Sequence, residues 1–535
     1  MILSDEGIKE RREWEEAGYV LPKFSRLDMV ENTKRSPVWI HFGAGNIFRA
    51  FHAAAAQKML DEGLMASGIT VVEGFDYEII EKMYRPHDDL SILVTLKADG
   101  SLEKKVIGSV GESCILDSKC DKEFQRIKDI FRSLSLQIAT FTITEKGYSL
   151  VDAKGDILPV VSKDFEAGPY KPDSYMGKIT ALLYERFLAG ALPVAMLSTD
   201  NCSHNGDRLK EAVTAFAKEW ENRNLCKEGF TGYLGDGSKV SFPWSMIDKI
   251  TPRPDDEVKA VLDKDGVKDT GSVITSKKTY VAPFVNAEEC EYLVIEDDFP
   301  AGRPKLESAG FIFTDRDTVD KVERMKVCTC LNPLHTSLAI FGCLLGYTKI
   351  SDEMKDDELK KLVVRIGYEE GLPVVTDPKV IDPKEFIDTV INIRIPNPFM
   401  PDTPQRIATD TSQKLPIRFG ETIKNYMSSG RDMESLKLIP LVFAGWIRYL
   451  MAVDDDGRAF ELSPDPLLDD VCVYVKNIRL GDGGTAVDAI EPLLHNASVF
   501  GVDIYEAGLA DSVKKYFVEL IAGNGAVRAT LHKYV

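Results

Sequence analysis

The sequence predicts a two-domain chain, an α/β domain with a doubly wound, mostly parallel sheet followed by a mainly α-helical domain. Three observations predict it. Up to about residue 220, short apolar runs alternate with helix-period segments, the signature of βαβ units. Beyond Gly302-Arg-Pro304 the apolar residues recur at helical spacing and keep doing so. A chain of 535 residues is also too long for a single core. The expected division places the α/β domain at 1–290 and the helical domain at 291–535.

Residues 1–36 are charged with scattered apolar positions (Trp14, Leu21, Phe24, Leu27), which reads as a helical arm packed on the main body. Pro37-Val-Trp-Ile-His-Phe42 reads as a buried strand, Gly43-Ala-Gly45-Asn46-Ile47-Phe48 as a turn, and Ala53 through Leu60 as a helix. Strand, glycine turn and helix are the context a dinucleotide-binding turn requires. Gly43 would permit the tight turn, and Gly45 would let a pyrophosphate approach the backbone. The usual third glycine is absent, with Phe48 in its place.

The second strand, Ile69–Val72, ends in Glu73, where a carboxylate can accept ribose hydroxyls and repel a 2′-phosphate, favouring NAD over NADP. Asp76 competes for that role, and Glu73 also fits as the cap of the next helix. Residues 91–115 read as a hairpin turning at Ala98-Asp99-Gly100. A helix over 121–133 leads to the strand Leu136–Ile143, and a helix over 177–188 to the strand Leu192–Leu197. Polar tips follow both strands, Thr144-Glu-Lys-Gly-Tyr148 and Ser198–Gly206, at the C-terminal edge where open α/β sheets bind ligands. Residues 228–300 are richer in β signals. Helical periods follow near 318–331, 334–346, 355–369, 384–393, 417–428, 434–452, 486–495 and 511–522.

Composition is that of a soluble globular chain: 44% hydrophobic and 28% charged. The net charge of -19 provides no basic field for nucleic acid or an anionic membrane, so any anion site must be built locally. Nine cysteines without regular spacing do not form a disulfide framework. Cys328 and Cys330 with His335 invite a zinc site, but no second ligand pair accompanies them, and no metal is expected. The N-terminal segment is charged, and no run of about 18 apolar residues occurs. A cytoplasmic protein is expected.

The most reactive stretch is Lys326-Val-Cys-Thr-Cys-Leu-Asn-Pro-Leu-His335, which sets an amine, an amide and an imidazole into an apolar surround. These groups can move a proton on and off a sugar oxygen. Taken alone, the stretch fits a packed helix with its polar groups turned to solvent or a neighbouring loop better than it fits a reactive site.

The motifs taken together resemble the polyol-specific long-chain dehydrogenases, the family of mannitol dehydrogenases and fructuronate/mannonate oxidoreductases. The matching pieces run in order: Gly43–Phe51, Thr142–Tyr148, Asp200-Asn201 with Asn205-Gly206, Ser245–Asp248 with Ile250-Thr-Pro252, Val294–Asp297, Gly302-Arg-Pro304, Leu331–His335 and Asp402–Lys414. The resemblance implies a Rossmann-type domain, NAD as cofactor and a small sugar acid or polyol as substrate, most closely D-fructuronate and D-mannonate. Neutral ketoses, tagaturonate, sugar phosphates or a silent NAD-binding role are the alternatives. It further implies Lys326 as general acid/base, with Asn332 and His335 holding the reacting C2 oxygen. Asn201 and Asp248 would contact the substrate from the first domain, Arg406 and Lys414 from the second. The implied cofactor contacts are Gly43, Gly45, Asn46, Ile47, Arg49, Glu73, Thr144, Glu145 and Lys146. A monomer is implied, with no nucleic-acid or membrane partner.

One departure matters. The family pattern places the lysine five residues before the asparagine, whereas here Lys326 precedes Asn332 by six. One extra residue on a regular helix rotates the lysine by about 100°. The sequence allows two accommodations: a π-bulge, or a fresh helical segment begun at Pro333 with Asn332 as its cap. For substrate, Arg394 and Arg418 join Arg406 and Lys414 as cations available to a carboxylate.

Overall fold

The computed structural model describes residues 1–535. Two compact units emerge: Met1–Lys97 with Ser101–Asp320, and Lys321–Val535 with the hairpin tip Ala98–Gly100. The division falls at Asp320/Lys321, not near 290. The strands Tyr292–Glu296 and Ile312–Thr314 complete a three-stranded sheet with Ser245–Asp248, so the chain beyond 290 still belongs to the first unit.

The first unit is built on a six-stranded sheet: β1 (Trp39–Phe42), β2 (Ile69–Glu73), β3 (Val110–Ile115), β4 (Ile138–Phe141), β5 (Val194–Ser198) and β6 (Val240–Ser241). Their order is β3-β2-β1-β4-β5-β6 and every pairing is parallel, so the direction of strand addition reverses beside β1. That reversal opens a crevice at the strand C-termini, the usual ligand position in such sheets. Both faces are covered, which is why β1, β2, β4 and β5 are buried along their whole length. On one face, helices α2 (Asp121–Arg132), α3 (Tyr175–Leu188) and α4 (Asn205–Asn222) pack Ile127, Ile179 and Phe216 onto Phe42 and Phe141. On the other, a π turn Phe48–His52 continues into α1 (Ala53–Asp61), whose Ala56 and Met59 meet Val71 and Ile138.

Val110–Ile115, expected as part of the hairpin, is instead β3 of the six-stranded sheet; the hairpin itself covers residues 91–107, with Ser91 opposite Ile107 and Leu96 opposite Leu102. It lies in a separate four-stranded sheet with Phe284–Glu288 and Tyr19–Val20. The N-terminal arm is tied down by Trp14, which is fully buried, and by the terminal ammonium on the carbonyl of Gly266 at 2.8 Å.

The second unit is helical. It contains the last turn of α5 (Arg316–Met325), then α6 (Asn332–Leu344), α7 (Asp357–Arg365), α8 (Pro383–Thr389), α9 (Pro404–Ile407), α10 (Thr411–Leu415), α11 (Glu421–Ser429), α12 (Leu438–Tyr449), α13 (Ala510–Leu520) and α14 (Ala526–Tyr534) among other short helices. Helix α12 is buried all round, and α6 and α13 pack on it. Its N-terminus is capped from outside by the buried carboxylate of Glu370, which accepts the amides of Lys437, Leu438 and Ile439 at 2.6–2.8 Å. The helical run Arg316–Leu344 is long and apolar, but 78% of its most apolar window is buried inside the protein.

Glu353 is a costly group to bury in this core. It is fully buried, and neither carboxyl oxygen has a hydrogen-bond partner. Burial, then the nearby Asp356, pushes it up to about 10, so it stays protonated at neutral pH. The sign follows from linkage. Stability is greatest below the ordinary glutamate range and is lost as pH rises toward 10, with a limiting slope of about 1.4 kcal/mol per pH unit. Glu353→Gln is expected to flatten the fall in Tm between about pH 6 and about pH 9; parallel Tm curves for the two proteins would contradict this.

Candidate functional site

Two groups of side chains carry the chemistry, one in each unit. In the first unit, Gly43 follows β1 with φ +110, and a Cβ there would lie 2.2 Å from the Thr142 carbonyl oxygen, so only glycine fits. A Cβ on Gly45 would meet nothing within 4 Å. Packing therefore does not demand the second glycine, and its bare backbone lines a cavity of about 640 Å³. That volume suits a small-molecule or cofactor site. Thr142, Thr144 and Lys146 line it on one side, and Leu150, Leu158, Val161 and Met176 form an apolar wall.

Glu73, at the end of β2, also lines the cavity, but its oxygens hold the protein's own backbone. They accept the amides of Ala44 and Phe75 at 2.8 Å and of Asp76 at 3.1 Å. Burial raises its pKa while these three bonds oppose the rise. Glu73 thus staples the glycine turn to the strand end. Asp76 has the open oxygen: its Oδ2 accepts the Thr275 hydroxyl at 2.6 Å, and its buried Oδ1 has no partner. An orphaned acceptor beside a glycine cradle fits a ribose and pyrophosphate.

The loop after β4 is strained and clamped. Thr144 has φ 65 and ψ 159, a region otherwise occupied by glycine. The Asp200 carboxylate holds it there by accepting the amides of Ile143 at 3.0 Å and Thr144 at 2.8 Å, together with the Tyr148 hydroxyl. Buried Asn205 then ties this region to the strand Ser245–Asp248, donating to the Asp200 carbonyl at 3.0 Å and accepting the Ser245 amide at 3.0 Å. Asn201 is exposed on the loop after β5, and Asp248 is buried at its strand's end.

Of the expected cofactor contacts, Gly43, Gly45, Glu73, Thr144 and Lys146 line the cavity. Asn46, Ile47, Arg49 and Glu145 are absent from its wall. Arg49 is buried and donates to the Ala282 carbonyl at 2.6 Å and to Asn46 Oδ1 at 2.8 Å, so it braces the turn from behind. Glu145 pairs with Arg208 at 2.8 Å.

In the second unit, the extra residue is taken up by a π turn followed by a fresh helical segment, which starts one residue earlier than expected. Lys326–Cys330 is a π turn, closed by the Leu331 amide on the Lys326 carbonyl at 3.1 Å. Leu331 then leaves helical geometry (φ -127, ψ -61), and α6 begins afresh at Asn332 with Pro333 in its first turn. The cap is Leu331, and Asn332 is the first helical residue. Lys326 is buried, while Asn332 and His335 keep part of their surface open. Cys328, Cys330 and His335 form no metal site, since no group of three such side chains stands close enough together.

Helix α6 packs against α9, which carries Arg406, and the Lys326–Cys330 turn packs against a second π turn, Pro416–Gly420, which carries Arg418. His335 lies at the focus of these pieces. Its Nε2 is 3.5 Å from Asp402 Oδ2, but that carboxylate is shared with Arg406. Burial first, then Arg394, Arg418, Arg406 and Lys414, push the imidazole down to about 3. It is therefore neutral at working pH and can act as a hydrogen-bonding group toward an oxygen. Lys414 donates to the carbonyls of Ile407 and Thr409.

Residues 38–308 match the family model described as the mannitol dehydrogenase Rossmann domain, and residues 318–521 match its C-terminal domain. The chain belongs to the mannitol dehydrogenase family. It is 54% identical to the D-mannonate oxidoreductase of Thermotoga maritima, over 100% of this chain and 99% of that one. It is 28% identical to the D-mannonate oxidoreductase of Escherichia coli K12, over 87% and 89% of the two chains. Among solved structures, the ternary complex of Pseudomonas fluorescens mannitol 2-dehydrogenase with NAD and D-mannitol is similar with a TM-score of 0.68 and 25% identity, covering 100% of this chain and 99% of that one. Family membership makes the chain an oxidoreductase, and the two matched domains agree with the two units seen here.

Proposed function

We propose that this enzyme interconverts D-mannonate and D-fructuronate with NAD as cofactor. The observation that carries the reading is the set of four cations, Arg394, Arg406, Lys414 and Arg418, gathered on a neutral His335. Asp402 offsets part of that charge through Arg406, and the cations left over suit an anionic sugar. The full-length likeness to a protein named D-mannonate oxidoreductase supports the same substrate.

Bound NAD would supply the hydride acceptor at its nicotinamide ring. The rest falls to this chain. The Gly43–Gly45 turn would take the pyrophosphate, and Asp76 would accept from the adenosine ribose. Lys326 removes the hydroxyl proton of the carbon next to the terminal hydroxymethyl group and passes it to solvent. Asn332 and neutral His335 hydrogen-bond the oxygen as it becomes a carbonyl. Arg406 and Lys414 bind the remaining sugar oxygens. The balance is D-mannonate plus NAD⁺ giving D-fructuronate, NADH and one proton. The test is NMR of the product from D-mannonate and NAD⁺: a ketone beside the hydroxymethyl carbon is expected, and recovery of unchanged D-mannonate would overturn the reading.

Lys414 gives this proposal a pH signature. Burial, then Arg418 and Arg406, lower it to about 8 against the pull of Asp410 and Asp465. It is charged below that pH and neutral above it. The KM for D-mannonate is therefore expected to be flat below about pH 8 and to rise toward about pH 9.5. A KM unchanged across that range would remove Lys414 from the substrate site.

The nine cysteines form no disulfide, which supports a reducing compartment, in keeping with a cytoplasmic enzyme. A single chain carrying both units is expected to be active as a monomer, which light scattering on the active protein would check.

A further inference from the structure

The four cations near His335 are not equivalent. Arg406 is ion-paired with Asp402. Lys414 is tied to two backbone carbonyls and has Asp410 and Asp465 nearby. Arg394 is buried with interactions of its own. Arg418 differs from all three. Its Nη1 donates to the Thr336 hydroxyl, a neutral group, and no carboxylate pairs with it. Burial alone pushes it down to about 10, with no acidic neighbour opposing the shift. A half-buried guanidinium facing no anion is partly stripped of water without a charge partner, and binding an anion offsets that cost.

The backbone also fixes where this charge sits. Arg418 lies in the Pro416–Gly420 π turn, and a Cβ on Gly420 would stand 2.5 Å from the Phe500 carbonyl oxygen, so the turn is locked against that segment. The Thr336 hydroxyl takes one of five N–H donors, leaving enough of the fork for two parallel bonds to a carboxylate. Thr336 directly follows His335 on α6. In a six-carbon sugar acid the carboxylate is at the opposite end from the carbon that changes oxidation state. A reader of that carboxylate should therefore stand near the imidazole without sharing its oxygen.

We propose that Arg418 binds the carboxylate of the sugar acid and sets the preference for the acid over an uncharged analogue. This rests on the substrate reading above and deepens it. The test compares D-mannonate with D-mannonamide, which is the same chain without the charge, in the full-length enzyme and in Arg418→Gln and Arg418→Lys. Fluorescence titration with NADH checks that each variant is folded. For Arg418→Gln, kcat/KM for D-mannonate is expected to fall about 100-fold, mostly through KM, and the preference for the acid over the amide to fall by a similar factor. Arg418→Lys, which keeps the charge but loses the fork, is expected to fall in between. Equal losses on the acid and the amide, or no loss on either, would overturn the assignment while leaving the substrate intact. Turnover of neither compound by the unaltered enzyme would overturn the substrate reading and this assignment with it.

Discussion

Lys326→Ala is expected to lower kcat by about 10²–10⁴-fold, the range a positioned general acid/base contributes. NADH binding should be unaffected, because the cavity that takes the cofactor is built from other residues, Gly43 to Tyr175 among them. The loss should fall on kcat more than on KM, since the proton is moved only in the transition state. Small primary amines added to the variant should restore part of the rate. The reason to choose Lys326 is local geometry. Other π turns occur in this chain, but this one occurs where the sequence carries one residue more than the family spacing. It absorbs that residue immediately before the helix that starts at Asn332. Lys414→Ala is the control: it should act mainly through KM. A normal kcat in Lys326→Ala with a collapse in Lys414→Ala would transfer the proton role to the second lysine.

Gly43→Ala is expected to weaken NADH binding by on the order of 100-fold, about 2.7 kcal/mol. The methyl group would press on the Thr142 carbonyl oxygen at 2.2 Å, and φ +110 is itself unfavourable for alanine. The turn must then move away from Thr142 and Glu73, two other residues lining the cavity. Gly45→Ala separates this from a cofactor effect. Its methyl group meets no protein atom within 4 Å, so Tm should hold. Any loss of NADH affinity there reports the closeness of the cofactor to the backbone. A Gly45→Ala variant with unchanged affinity would mean that no pyrophosphate approaches that backbone.

Much of this was legible in the residues. Strand, glycine turn and helix over 37–60 led directly to the six-stranded parallel sheet and its crevice, because hydrophobic period and glycine placement are local signals. The eight helical periods beyond 318 all correspond to helices or π turns. Several short or terminal helices lie outside those periods, and α9, α10 and α14 are three of them. Two of these three are only four or five residues long, too short to show a period.

The division at 320 was missed because the strand Ile312–Thr314 pairs with Tyr292–Glu296, and pairing is non-local. Glu73 and Asp76 could not be told apart by type or position. What separates them is which oxygens the backbone amides already occupy. Arg49 resembled a phosphate ligand by its place after the glycine turn, yet a carbonyl from residue 282 claims it. Arg418 was visible only as one cation among several. Its distinction, the want of a carboxylate partner, depends on packing that no spacing rule contains.

Four candidate sugars separate a sugar acid from an uncharged or phosphorylated substrate for this dehydrogenase. Initial rates of NADH oxidation with D-fructuronate, D-tagaturonate, D-fructose and D-fructose 6-phosphate, measured side by side, test the choice of a sugar acid most directly. D-Fructuronate is expected to have the highest kcat/KM, at least about 100-fold above D-fructose, the margin expected of one well-placed cation pairing with a carboxylate. Turnover of D-fructose alone would contradict it.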